Sequence, residues 1–270
     1  MLTPFRKYQA LQNDYLLFDA IEQSMDFSPA QITAMCHRRT GVGADGILIV
    51  RRDGDATRMQ IFNADGSEAA MCGNGLRCVG KFLVDSGRLA VGARADVLTK
   101  SGPRHVTVLE QAPGVSRVVA GLGRPRVLDD RLVLQDLAFV HVDVGNPHIV
   151  HFVEAGAPRA LAPDWNLQMA LSLGPDLEHA LEGGVNVGFA VPSGPARLDL
   201  VVWERGVGFT QACGTGATAA VTAALHLGHV ESGPVRVHQN GGEVEVTLDA
   251  DGSATLDGPA HFVFAGTWPA

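Results

Sequence analysis

The 270-residue chain lacks the marks of several protein classes. Its 21 Lys and Arg residues are outnumbered by 29 Asp and Glu, giving a net charge of −8 and a pI of about 5.6. No basic stripe of the kind that neutralises phosphates is present, so nucleic acid is excluded as a partner. No apolar run approaches the roughly 18–20 residues of a membrane span, and no membrane partner is expected. The opening Met1-Leu2-Thr3-Pro4-Phe5-Arg6-Lys7 leads into alternating sequence and not into a signal-peptide apolar stretch. The expectation is a soluble, cytoplasmic protein. Cysteines are few: Cys36, Cys72, Cys78 and Cys213. No two have C-x-x-C spacing, which removes zinc-site and thioredoxin-type readings, and they are too sparse for a secreted disulfide scaffold. There is no P-loop. Gly41–Gly46 spells G-x-G-x-x-G, but it follows a predicted helix and leads into a strand, the reverse of a dinucleotide fingerprint. No lysine context for pyridoxal phosphate stands out. Neither a metal nor a cofactor is expected.

What the chain has in excess is glycine: 32 residues, about 12% against a usual ~7%. Without a three-residue period these serve turns, close backbone approaches and helix starts. Most segments read as short strands, among them Phe5–Ala10, Tyr15–Ala20, Gly46–Arg51, Arg58–Asn63, Leu132–Val144, Val185–Val191 and Leu198–Glu204. Helical spacing begins at Pro29. Asn74–Ser86 and Thr215–Leu227 are stronger helices, each closed by a glycine, Gly87 and Gly228. The stretch Ala155–Glu182 is the least readable, with a helical turn or two in Pro163–Leu173. Pro113-Gly114 marks a candidate domain junction, and a final strand, His261–Ala265, returns to the first domain. The expected domains are 1–114 with 259–270, and 115–258.

The two halves share a skeleton. Cys72-Gly73-Asn74-Gly75 opens one helix and Cys213-Gly214-Thr215-Gly216 the other. Asn13-Asp14-Tyr15 has a counterpart in Asn146-Pro147-His148, and Gly41-Val42-Gly43 pairs with Gly184-Val185-Asn186. The offsets are 133, 143 and 141 residues, nearly constant across three motifs. The predicted fold is α/β of the α+β type: two pseudo-symmetric domains, each a mostly antiparallel sheet or barrel around a central helix. Equivalent motifs about a two-fold axis would approach one planar carbon from both faces.

A cysteine at a helix N-terminus sits at the positive end of the macrodipole, where backbone N–H groups stabilise a thiolate. The same N–H groups can cradle a carboxylate. Each motif therefore offers a base and an anion site together; the alternative is a buried core cysteine beside a helix start. Asn13, Asn63, Asn146 and Asn186 lie at strand ends near these motifs, as ligand hydrogen bonders or as ordinary turn residues. Arg205 suits a bidentate carboxylate contact, and Glu204 an ammonium group or a thiol. His148 could polarise a thiol. Cys36 and Cys78 have no glycine context and are assigned to the core, and His37 to a helix end.

These residues resemble the diaminopimelate epimerase family over nearly the whole chain. The resemblance is carried by Asn63-Ala64-Asp65-Gly66-Ser67-Glu68, Met71-Cys72-Gly73-Asn74-Gly75-Leu76-Arg77-Cys78, Gly145-Asn146-Pro147-His148, Gly184-Val185-Asn186, Glu204-Arg205-Gly206 and Ala212-Cys213-Gly214-Thr215-Gly216. It implies a cofactor-independent isomerase that interconverts LL- and meso-2,6-diaminopimelate, in lysine and peptidoglycan-precursor biosynthesis, with Cys72 and Cys213 as the acid/base pair. By the same resemblance Gly73, Asn74, Gly214 and Thr215 hold the reacting carboxylate. Asn13, Asn63, Asn146, Asn186, Glu204 and Arg205 recognise the substrate, and His148 and Glu204 modulate the thiols. The family's usual His-Gly-Leu-Gly-Asn-Asp opening is here Gln9-Ala10-Leu11-Gln12-Asn13-Asp14, Gly46 stands where some members have glutamine, and Phe209 where a glutamate is common. The expected partners are a small amino-acid substrate and, as a homodimer, a second copy of the chain. Competing readings are a related racemase of histidine, proline or hydroxyproline, a thiol redox protein, and a non-catalytic amino-acid binder.

Overall fold

A computed structural model describes residues 2–153 and 165–269. The chain divides into two compact units, Met1–Gly121 with Asp257–Ala270, and Leu122–Leu256.

In the first unit, β1 (Leu2–Ala10) and β2 (Asn13–Ala20) form an antiparallel hairpin. Its turn residues, Leu11 and Gln12, have φ of 53° and 67°, the primed-turn conformation that matches strand twist. Helix α1 (Pro29–Cys36) starts at a capping box: Ser28 accepts from the Gln31 N–H and the Gln31 side chain accepts from Ser28. Strand β3 (Gly46–Asp53) runs parallel to β2, and β4 (Ala56–Asn63) antiparallel to β3. After the two-residue β5 (Glu68–Ala69) comes α2 (Gly73–Asp85). Strand β6 (Arg94–Thr99) is parallel to β4, and β7 (Gly102–Ala112) and β8 (Val115–Gly123) follow as antiparallel neighbours.

The second unit repeats this order. Strands β9 (Arg126–Leu134), β10 (Leu137–Asp143) and β11 (Pro147–Phe152) are antiparallel in sequence. Helix α3 (Trp165–Leu177) leads to β12 (Asn186–Gly194), parallel to β11, and β13 (Arg197–Glu204) returns antiparallel. The short β14 (Gly208–Phe209) precedes α4 (Gly214–Leu227). Strand β15 (Val235–Gln239) is parallel to β13, and β16 (Gly242–Leu248) pairs with β15. The last strand, β17 (Ala254–Pro269), lies antiparallel along β1 in the first unit, from Leu2 opposite Pro269 to Gln9 opposite His261.

Among the described residues each unit thus has one outer helix and one enclosed helix. Every residue of α2 from Gly73 to Val84 is buried, against β1, β3, β4 and β7. Every residue of α4 from Gly214 to Ala224 is buried among β9–β13, β15 and β16. A helix without a solvent face favours apolar or small residues all round, as in the Ala-rich α4; α2 departs from this by burying Arg77 and Lys81, which bond to Asn74 and Asp85. The outer helices close second cores: Ile32 and Met35 of α1 against Phe18, Ile47 and Ile49, and Ala170 and Leu177 of α3 against Val187, Phe189 and Val201. Each such aliphatic side chain removed from water contributes roughly 1.5–3 kcal/mol.

Four expectations change. Pro113-Gly114 is the tip of the β7–β8 hairpin, with Ala112 opposite Val115 and Gly114 at φ 80°. A linker and a hairpin turn have the same local chemistry; the unit boundaries fall at Gly121 and Asp257 instead of 114 and 259. Leu132–Val144 is two strands, broken at Gln135-Asp136, whose φ values of 49° and 61° are reached without the glycine that marks such turns. Pro163–Leu173 is a full helix from Trp165 to Leu177, while 154–164 lies outside the described residues. Gly174 there is a packing glycine: a Cβ would stand 2.6 Å from the Trp203 ring. Lastly, the final strand extends over sixteen residues, through Gly258-Pro259.

Candidate active site

The chemistry starts at the two enclosed helices, because both begin on a cysteine. Cys72 is the N-cap of α2, with extended backbone (φ −143°, ψ 124°), and its sulfur accepts from the Gly75 N–H at 3.5 Å. Cys213 is the N-cap of α4 (φ −122°, ψ 113°), and its sulfur accepts from the Gly216 N–H at 3.4 Å. Sulfur takes the place that Ser or Asp oxygen usually fills. An ionised sulfur there gains from both the N–H and the helix dipole. The Gly73-Asn74 and Gly214-Thr215 N–H groups lie at the helix mouths, where anions bind. Glycine at the third helical position lets the sheet close on the cap. A Cβ on Gly216 would stand 2.8 Å from Val202 Cγ2 and 3.3 Å from Cys213 Sγ, and one on Gly75 3.1 Å from Leu48 Cδ2.

In the first unit Cys72, half-buried, meets the start of β2. The Tyr15 hydroxyl lies 3.0 Å from Cys72 Sγ and 2.5 Å from Asn13 Oδ1. Asn13 Oδ1 also accepts from Asn74 Nδ2 at 3.3 Å and is 3.7 Å from the sulfur. Asn13 Nδ2 donates to Asp45 Oδ2 at 3.0 Å. Behind it Lys7 and Arg38 grip Asp14 at 2.6 and 2.8 Å. Burial alone would raise the Asp14 carboxyl, but hydrogen bonds from Arg38 and Lys7 hold it below its ordinary range. Arg77, fully buried on α2, donates from Nη2 to Asn74 Oδ1 at 2.8 Å, while its Nη1 has no hydrogen-bond partner among the described residues. Asn63, at the end of β4, donates to Ser67 Oγ at 3.0 Å.

In the second unit Cys213 Sγ is 3.5 Å from Thr215 Oγ1. That hydroxyl is 3.0 Å from His148 Nε2 and accepts from Asn146 Nδ2 at 3.4 Å. Burial, reinforced by the Arg205 charge, lowers His148 to about 3. It is therefore a neutral imidazole that reaches the sulfur through Thr215, and not a cation beside it. Asn186 is occupied in shaping the site: it donates to the Pro147 carbonyl at 2.8 Å and accepts the Arg205 N–H at 3.0 Å. The exposed Arg205 guanidinium lies on the carbonyls of Gly183 and Gly184 at 2.9 and 3.2 Å. Glu204 Oε1 accepts from Thr210 Oγ1 at 2.5 Å. The Cys213 N–H donates to Gln239 Oε1 at 2.8 Å.

Strand register refines the internal match. Tyr15 lies opposite Gly46 across β2–β3, and His148 opposite Asn186 across β11–β12. The counterpart of Asn186 is thus Gly46, three residues beyond the Gly43 that glycine spacing selects. Sequence reasoning passed over Tyr15, Gln239 and Thr210. Tyr15 reads as one more apolar strand residue, and Gln239 as a strand end; the internal match already sets Tyr15 against His148, and it is the 3.0 Å contact with Cys72 Sγ that marks it out. Cys36 and Cys78 are core thiols, pushed up by burial to about 11 and about 12.

A duplicated α+β unit with a cysteine-capped helix in each copy defines a class, and solved structures show the same fold. A predicted epimerase from Pseudomonas aeruginosa superposes with a TM-score of 0.73 at 16% identity over 99% of both chains. A hydroxyproline epimerase from Agrobacterium vitis gives 0.68 at 15% identity, over 99% of this chain and 91% of that one. At the sequence level, the family model for diaminopimelate epimerase matches residues 5–128 and again 140–263. Relatives described as diaminopimelate epimerase include one from Synechococcus sp. (strain JA-2-3B'a(2-13)), 37% identical over 97% of both chains, and one from Corynebacterium glutamicum, 36% identical over 97% of both. The chain belongs to the diaminopimelate epimerase family.

Proposed function

We propose that this chain interconverts LL- and meso-2,6-diaminopimelate by two-base proton transfer at one α-carbon, in lysine and peptidoglycan-precursor biosynthesis. The observation that carries this reading is the pair of cysteines capping enclosed helices, each ringed by amides and hydroxyls. One cysteine, as thiolate, takes the α-proton and becomes a thiol. The carbanion, its charge delocalised into the carboxylate, then takes a proton from the other thiol, which is left as thiolate. Two bases are needed because inversion removes and returns the proton on opposite faces. Helix-mouth N–H groups at Gly73-Asn74 and Gly214-Thr215 would stabilise the charge that develops on the carboxylate. Asn13, Asn63, Asn146, Asn186, Glu204 and Arg205 would bind the remaining polar groups of the substrate. A reducing cytoplasm would keep both sulfurs as thiol and thiolate.

The test is incubation of reduced protein with LL-diaminopimelate in D2O, with NMR for loss of the α-proton and chiral analysis of the product. Exchange with formation of the meso isomer, abolished in Cys72→Ala and in Cys213→Ala, is the expected result. Absence of exchange with intact reduced thiols would reject this substrate; histidine, proline and hydroxyproline in the same assay would then identify a racemase of different specificity.

A further inference from the structure

The hydroxyl of Tyr15 has one proton, and Asn13 Oδ1 and Cys72 Sγ are both placed to take it. Tyr15 is 5% exposed, so water does not serve it freely. Asn13 Oδ1, 2.5 Å away, can only accept. The orientation of that amide is fixed, because its Nδ2 faces the Asp45 carboxylate and its Oδ1 faces Asn74 Nδ2. The orientation of Asn74 is fixed in turn by Arg77 Nη2 on its Oδ1. Cys72 Sγ, 3.0 Å from the phenol oxygen, donates as a thiol and accepts as a thiolate.

Two hydrogen-bond patterns follow. With a thiol, S–H donates to the Tyr15 oxygen and the Tyr15 O–H donates to Asn13. With a thiolate, the Tyr15 O–H turns to the sulfur and joins the Gly75 N–H, while Asn74 Nδ2 still satisfies Asn13. We propose that Tyr15 is a positioning residue for Cys72: its hydroxyl rotates between Asn13 Oδ1 and Cys72 Sγ as the sulfur ionises, so both charge states are hydrogen-bonded. Tyr15 loses no proton. In the second unit the hydroxyl beside the cysteine belongs instead to Thr215 on the helix, with the His148 imidazole behind it. Charged groups around the Tyr15 cluster include Arg77 on α2, which also feels Asp257, and Asp14, Asp45, Arg38 and Lys7 behind Asn13.

The inference rests on the two-thiol reading, but its test needs no turnover. Alkylation by iodoacetamide, which reports thiolate, is followed across pH by mass spectrometry of the Cys72 and Cys213 peptides. Tyr15→Phe should raise the Cys72 midpoint by about one pH unit, the scale of one hydrogen bond to a charged group, and leave the Cys213 midpoint in place. The acid limb of kcat/KM should move in the same direction. An unmoved Cys72 midpoint, or equal shifts at both cysteines, overturns the proposal. A second measurement keeps the phenol. Tyr8 and Tyr15 are the two tyrosines of the chain, so 3-fluorotyrosine labelling gives two 19F resonances. The Tyr15 resonance should titrate at the Cys72 midpoint, and that step should vanish in Cys72→Ala. Its persistence in Cys72→Ala would also overturn the proposal.

Discussion

Tyr15 and His148 occupy the same register position in the two halves of the chain, opposite Gly46 across β2–β3 and opposite Asn186 across β11–β12. Each follows an asparagine by two residues, Asn13 and Asn146. One backbone plan therefore presents a phenol to the first thiol and, through Thr215, an imidazole to the second. The duplication is strict in the backbone and relaxed in the side chains. The proposed two-base reaction has the same need, since each turnover starts with one sulfur charged and the other protonated and ends with those states exchanged.

The neutral His148 makes stability fall in acid. Burial, then the Arg205 charge, lowers it to about 3. Below roughly 6.5, its value in an unfolded chain, the unfolded state takes up a proton that the folded state refuses. This stabilisation is complete above that pH and is lost as pH falls toward the folded value, by at most about 1.4 kcal/mol per pH unit. Urea unfolding at about pH 7 and about pH 5 should therefore show a drop that shrinks by roughly 1–2 kcal/mol in His148→Gln. Equal drops in the two proteins would mean that another group titrates.

The thiols should separate by reactivity. Burial raises Cys36 to about 11 and Cys78 to about 12, so neither is appreciably ionised near neutrality. Brief iodoacetamide treatment near pH 7.5 should label the half-buried Cys72 at least tenfold faster than Cys36 or Cys78. Labelling of those two should appear only after unfolding. Rapid native modification of Cys78 would contradict its place inside α2.

How much of this was legible beforehand depended on whether a feature leaves a local mark. The enclosed helices were readable because their ends are written in glycine: Gly75 and Gly216 at the starts, Gly87 at φ 71° and Gly228 at φ 73° beyond the ends. The Gln135-Asp136 turn was not, because it reaches left-handed φ without glycine or asparagine. Helix α3 is hard to read because it contains Gly174-Pro175, a pair that more often marks a turn; Gly174 here admits the Trp203 ring, which belongs to a strand about thirty residues away. Tyr15 lies in an apolar run, Tyr15-Leu16-Leu17-Phe18, and its role depends on a sulfur 57 residues on. Contacts of that range are set by sheet register, which spacing alone does not state.

Gly216 should tolerate no side chain. A Cβ there would stand 2.8 Å from Val202 Cγ2 and 3.3 Å from Cys213 Sγ, so either β13 retreats or the sulfur leaves its cap. Gly216→Ala should cost about 1–3 kcal/mol in overpacking and reduce turnover at least tenfold. Gly75→Ala, with its nearest neighbour the Leu48 side chain at 3.1 Å, should be milder on both counts. Thermal unfolding with steady-state kinetics on both variants checks the order; a harsher Gly75→Ala would reverse it.

Arg77 separates stability from function. Its side chain is fully buried, its Nη1 has no hydrogen-bond partner among the described residues, and burial lowers its pKa against the favourable fields of Cys78, Cys72 and Tyr15. A buried cation of this kind is costly, and replacing it by an apolar chain of similar length is often neutral or stabilising. By reciprocity, the charge that Cys72 stabilises also stabilises an anion on Cys72, and Arg77 fixes the Asn74 amide at 2.8 Å. Arg77→Met should therefore leave the melting temperature unchanged or higher, while slowing both Cys72 alkylation near neutrality and turnover by at least tenfold. Loss of stability with normal Cys72 reactivity in the remaining folded protein would instead assign Arg77 to packing alone.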